Sequence, residues 1–108
     1  MQGQAQDCLN AIKGQLLHGD LDCLFKGVSI NSRTVSKGEL FVCVKGERFD
    51  GHNFLADAID KGAGGIILSD PEKLPGETGR VAEKPFVIQV PDTLKALQDL
   101  AGFQRKRF

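Results

Sequence analysis

Residues 40–69 read LFVCVKGERFDGHNFLADAIDKGAGGIILS, and the order of elements in this stretch decides the fold. Leu40-Phe41-Val42-Cys43-Val44 is continuously apolar and β-rich, the signature of a strand covered on both faces. Lys45 to His52 is a polar loop with glycine at 46 and 51. Phe54, Leu55, Ala58 and Ile59 then share one face of a helix predicted from His52 to Lys61. Asp50 is placed to cap it and Gly62 to stop it. Gly65-Ile66-Ile67-Leu68-Ser69 is a second buried strand. Strand, helix, strand in this order predicts a right-handed crossover with Val42 and Ile67 in parallel neighbours.

Outward from this unit the pattern repeats. Val28-Ser29-Ile30 alternates into a polar loop, Asn31-Ser32-Arg33-Thr34, and Ser36-Lys37-Gly38-Glu39 is turn chemistry. Gln4 to Lys13 is predicted as a short helix stopped by Gly14, and Gln15 to His18 as a short strand. Asp70 to Pro85 holds three of the four prolines and reads as a surface loop. Phe86-Val87-Ile88-Gln89-Val90 is a third apolar strand. Asp92 or Thr93 caps a last helix whose Leu94, Leu97, Leu100 and Ala101 form an apolar stripe. The expected fold is a single α/β domain over residues 1–108, with a small mixed or mainly parallel sheet and flanking helices.

Composition agrees and excludes several function classes. The chain has 108 residues, 41% of them hydrophobic; its 13 glycines take the apolar share past the roughly 45–50% usual in globular chains. Fourteen basic and fourteen acidic residues cancel, which argues against a nucleic-acid binder. No apolar run approaches the roughly 20 residues that span a bilayer, and the first residues lack a signal-peptide pattern. Three cysteines without a CxxC pair suit a reducing compartment, so a cytoplasmic location is expected. No metal-ligand motif is visible, and neither is a nucleophile–base pair of the kind a free-standing hydrolase needs.

Two connections carry chemistry. Lys45-Gly46-Glu47-Arg48-Phe49-Asp50-Gly51-His52 leaves a strand's carboxyl end and enters a helix, the edge where open α/β sheets bind ligands and free N–H groups favour anions. Lys45 and Arg48 add charge, Phe49 offers a flat face to a base or sugar, and His52 starts a helix within reach of a phosphate. A solvated strand–helix connection with Phe49 turned inward fits the same residues, and position alone does not choose. Asn31-Ser32-Arg33 joins an amide, a hydroxyl and a guanidinium, all able to read a uracil edge or a phosphate. On the residues alone, a plain polar turn is the simpler reading there.

Gly62-Ala63-Gly64-Gly65 follows a helix and opens a strand, the reverse of a phosphate-binding glycine loop, so it reads as a packing turn. Arg105-Lys106-Arg107 suits a helix C-terminus. His18 reads as an exposed strand residue, Cys43 as a small core residue, and Cys8 and Cys23 have no histidine partner in sight.

The run Val28-Ser29-Ile30-Asn31-Ser32-Arg33-Thr34-Val35, then Lys37-Gly38-Glu39-Leu40-Phe41-Val42, resembles the N-terminal domain of the Mur ligases, which build the peptide stem of peptidoglycan. Lys45 to Phe54, followed by Ala58 and Gly62-Ala63, strengthens the likeness. The Gly-Glu-Arg-Phe-Asp-Gly-His wording is similar to the branch that joins D-alanyl-D-alanine to UDP-N-acetylmuramoyl-tripeptide, rather than the branch adding the third stem residue. The resemblance implies a domain that holds the UDP end of that substrate. It places uridine contacts at Ile30, Ser32, Glu47, Arg48 and Phe49, to which charge adds Arg33 and Lys45.

Where the family usually has Asp-Ser-Arg, this chain has Asn31-Ser32-Arg33, without the carboxylate. The family's Gly-Lys-Thr segment for ATP and Mg²⁺ does not occur in these residues, so the resemblance implies a piece of an ADP-forming ligase, inert alone and with no cofactor or catalytic residue of its own. An adaptor domain that kept the fold and lost the nucleotide is the other expectation.

Overall fold

The computed structural model describes residues 2–12, 14–45, 50–73 and 85–107. Five strands form the main sheet in the order β2-β7-β6-β5-β4, where β2 is Gln15–His18, β4 Val28–Ser29, β5 Leu40–Val42, β6 Gly65–Leu68 and β7 Phe86–Gln89. Strands β4 to β7 are parallel, and β2 closes one edge antiparallel to β7. Val42 stands opposite Ile67, as the strand–helix–strand reading requires.

The continuous apolar wording of β5, β6 and β7 exists because both sheet faces are covered. Leu40, Val42, Ile67, Phe86 and Ile88 point to one face, where Cys8, Ile12, Ala96 and Leu100 pack on them. Phe41, Cys43, Ile66, Leu68 and Val87 point to the other, against Val35, Leu55, Ala58 and Ile59. Burial pushes the Cys8 thiol up to about 12, with the nearby Asp7 charge adding to it, and moves the Cys43 thiol upward in the same way, with Asp50 contributing. Both are protonated core residues rather than nucleophiles.

The helices differ in detail from their sequence patterns. α1 spans Ala5–Ala11 and ends at Ile12, which is extended, before Gly14 is reached. The second helical segment opens as a 3₁₀ turn, Gly51–Phe54, capped by Asp50, and becomes α2 over Leu55–Asp60. α3, Thr93–Arg107, is capped by Asp92, whose Oδ1 accepts the N–H groups of Leu94 and Lys95 at 3.0 and 3.2 Å. Its apolar stripe matches the expected one at Leu100, which is buried, and Leu97, which packs on the core; it is turned elsewhere, with Ala96 buried, Leu94 47% exposed and Ala101 in solvent. The small Thr93 and Ala96 take the sheet side, which a reading weighted by side-chain size passes over.

A second sheet was not expected. β1, Gln2–Gln4, pairs antiparallel with β3, Leu24–Lys26, and places Phe25 in the core. The Gly62–Gly65 turn is a packing device, as its position implies. A Cβ on Gly64 would stand 2.7 Å from the Gly38 carbonyl oxygen, and one on Gly65 would clash with the Phe86 ring.

Candidate functional site

Because β4 to β7 run parallel, the connections leaving them emerge at one edge of the sheet. The connection from Ile30 and the connection through Lys45 leave β4 and β5, which are hydrogen-bonded neighbours. Ile30, Ser32, Arg33 and Lys45 therefore belong to adjacent exits. Glu47, Arg48 and Phe49 lie outside the described residues.

The stems of the second connection are fixed by backbone and by buried polar groups. Lys45 and Asp50 pair as an antiparallel bridge, and the Gly51 N–H donates to the Val44 carbonyl at 2.9 Å. The Lys45 N–H donates to Oγ1 of the buried Thr93 at 3.2 Å, tying this stem to the start of α3; the Lys45 side chain is in solvent.

His52 is the most committed polar group on this edge. It is 3% exposed, and Nδ1 lies 2.6 Å from Asp50 Oδ1. Its Nε2 accepts the N–H groups of Ser69 and Asp70 at 3.1 and 3.2 Å. With Nε2 accepting twice, the ring proton sits on Nδ1 and is donated to Asp50. The ring thus straps the exit of β5 to the exit of β6. This corrects the expectation that His52 reaches a phosphate, since neither nitrogen is free to do so.

Burial works against the Asp50 charge, but the hydrogen bonds from the His52 ring and backbone N–H groups outweigh it, helped by the Lys73 charge. The Asp50 carboxyl is therefore held below its ordinary value. A lowered carboxyl stabilises the fold fully above the unfolded value of about 4. That contribution disappears as pH falls through the folded value. Urea unfolding between about pH 4 and pH 2 should thus show stability falling more steeply in the parent chain than in Asp50→Asn. Equal slopes would remove Asp50 from the acid limb.

The first connection is a self-organised turn. Asn31 Oδ1 accepts the Arg33 N–H at 2.9 Å, and the Asn31 carbonyl accepts the N–H groups of Thr34 and Val35 at 3.2 and 3.0 Å. An aspartate oxygen would serve the same way, so the Asn31 departure leaves this turn's scaffold intact. Ser32 is 5% exposed, and its carbonyl accepts the Lys61 ammonium at 2.6 Å. Ile30 is 46% exposed and the Arg33 side chain is in solvent. Lys61 and Thr93 were missed as site-shaping residues and His52 was given a phosphate instead of its strap, because their partners are mostly main-chain groups.

A depression of about 480 Å³ opens on the same edge beyond the His52 strap, lined by Ser69, Gln89 and Pro91 with Gly14 and Gln15 across from them. A second, of about 600 Å³, lies beside the small sheet between Asp7, Leu24 and Lys26. Neither includes Ile30, Ser32, Arg33 or Lys45 among its described lining.

Among the described residues, no three His, Cys, Asp or Glu side chains gather as metal ligands. The one glycine-rich turn has its faces filled by Gly38 and Phe86. Among the described residues no helix is long and apolar enough to cross a membrane.

Comparison with known proteins agrees with this architecture. The family model described as "Mur ligase family, catalytic domain" matches residues 24–105. A UDP-N-acetylmuramoyl-L-alanyl-D-glutamate--2,6-diaminopimelate ligase of Aquifex aeolicus is 41% identical over 85 residues, covering 76% of this chain and 16% of that protein. A UDP-N-acetylmuramoyl-tripeptide--D-alanyl-D-alanine ligase of Treponema pallidum is 40% identical over 86 residues, covering 78% and 19%. MurF from Acinetobacter baumannii superimposes with a TM-score of 0.79 at 27% identity, over 99% of this chain and 22% of that one. The chain spans about a fifth of the length of these relatives. With the α/β sheet, the two exits and the match across residues 24–105 in agreement, the chain belongs to the Mur ligase family.

Proposed function

We propose that this chain is the N-terminal substrate domain of a peptidoglycan-precursor ligase, and that it seats the UDP end of UDP-N-acetylmuramoyl-tripeptide. The ligase would join D-alanyl-D-alanine to the tripeptide while hydrolysing ATP to ADP. ATP, Mg²⁺ and D-alanyl-D-alanine would be held by other domains, in the cytoplasm, and this domain alone would be inert. The observation that carries the reading is the exit of both polar connections from the neighbouring strands β4 and β5 at the carboxyl edge. There Ile30 and Phe49 would flank the uridine, Ser32 and Glu47 would supply its polar partners, and Arg33, Lys45 and Arg48 would face the diphosphate.

A second reading has its own support: the diaminopimelate ligase and the D-alanyl-D-alanine ligase are similar to this chain to the same degree, 41% and 40%. In the ligase that adds the third stem residue the UDP seat would serve equally. Assaying the whole enzyme with each amine acceptor separates the two.

NMR titration with UDP tests the seat. Saturable shifts at Ser32, Arg48 and Phe49 are expected, with a dissociation constant near the millimolar range because the remaining contacts lie on other domains; a millimolar constant is about 4 kcal/mol. Arg48→Ala should weaken binding without lowering the melting temperature. Absence of shifts at millimolar UDP would favour an adaptor domain without nucleotide, and a collapse of the Arg48→Ala fold would make that residue structural.

A further inference from the structure

The turn after β4 is held from inside by Asn31 and from outside by Lys61. Lys61 caps the C-terminal end of α2, and its ammonium stands 3.7 Å from the Asp57 carboxylate one turn earlier. That pairing and water would satisfy a surface lysine. Instead the ammonium also donates, at 2.6 Å, to the main-chain carbonyl of Ser32, 29 residues away. A charged donor on a carbonyl is a strong hydrogen bond, and it fixes a backbone atom rather than a swinging side chain.

The same helical segment begins at Asp50, the stem of the second connection, where His52 anchors it to the β6 exit. Residues 51–61 therefore link the two connections: His52 anchors one end at the second, and from the other end the Lys61 ammonium reaches across to the first. Lys61 is the fastening at the first.

We propose that Lys61 is a positioning residue for nucleoside diphosphate binding. By gripping the Ser32 carbonyl it sets the Asn31–Arg33 turn against α2, and so fixes how the hydroxyl and guanidinium of that turn meet the ligand. This rests on the reading of the turn as part of a UDP seat.

Lys61→Met keeps the length of the side chain and removes the donor; Lys61→Arg keeps a donor. UDP titrations of the three proteins by NMR, with thermal unfolding alongside, test the proposal. The methionine variant should need roughly tenfold more UDP for half-saturation, the fold-change expected when one charge-assisted hydrogen bond is lost. Its melting temperature should change little, and the arginine variant should regain most of the affinity. The Ser32 carbonyl carbon and the Thr34 and Val35 amides should move in the methionine variant even before UDP is added.

Equal UDP affinity in parent and methionine variant overturns the positioning role while leaving the UDP seat standing. A parent chain that never saturates with UDP removes the seat, and the proposal with it. Loss of affinity only in step with loss of folded protein, unrescued by arginine, makes Lys61 merely structural and overturns the proposal too.

Discussion

Replacing His52 with leucine is expected to remove about 3–4 kcal/mol of folding free energy, as read by urea unfolding near neutral pH. Leucine fills most of the ring's space but offers neither acceptor nor donor. The Ser69 and Asp70 N–H groups lose their shared acceptor and Asp50 loses its ring donor. Each stranded group costs about 1–3 kcal/mol, and Asp50, being only partly buried, recovers some of its share from water. For a domain whose whole stability is of order 5–15 kcal/mol, this is a large fraction. A loss below about 1 kcal/mol would mean that water replaces the ring without penalty, and that the strap between the β5 and β6 exits carries little.

Gly65→Ala should be comparably damaging, at about 3 kcal/mol, the upper part of the usual overpacking range. The added methyl would clash with the Phe86 ring, which is fully buried and stands 6.2 Å from the Phe25 ring, centre to centre. Neither aromatic has solvent to move into. The diagnostic measurement is a double-mutant cycle with Phe86→Leu. Trimming the ring should return at least about 1 kcal/mol of the alanine penalty, so the two changes should be far from additive. Strict additivity would show that the methyl is absorbed by separation of β6 from β7, with the ring left in place.

Much of this architecture is written plainly in the residue order. The apolar runs at 40–44, 65–68 and 86–90 announce strands with no exposed face, and the helix between the first two leaves parallel pairing as the economical arrangement; Val42 does face Ile67. The small sheet was not legible because Gln2-Gly3-Gln4 has no apolar alternation and Leu24-Phe25-Lys26 buries one side chain only. The α3 stripe was read rightly at Leu97 and Leu100 and wrongly at Leu94 and Ala101, because leucines attract attention that Thr93 and Ala96 do not.

The exits at Ile30 and Lys45 were legible as candidate sites from strand-to-loop transitions alone. The groups that brace them were not. His52 bonds two main-chain N–H groups and Lys61 a main-chain carbonyl, and such partners leave no trace in a side-chain pattern. Glu47, Arg48 and Phe49 fall outside the described residues, so their part rests on the proposed UDP titration.

The antiparallel edge strand has a consequence for how the chain is made. Gln15 finds its partner in Gln89 and Leu16 in Ile88, so β7 must exist before β2 has its partner in the main sheet. Closing so long a loop is slow relative to local helix and neighbour-strand formation. On a ribosome, β2 would wait, unpaired on this edge, until β7 had cleared the exit tunnel.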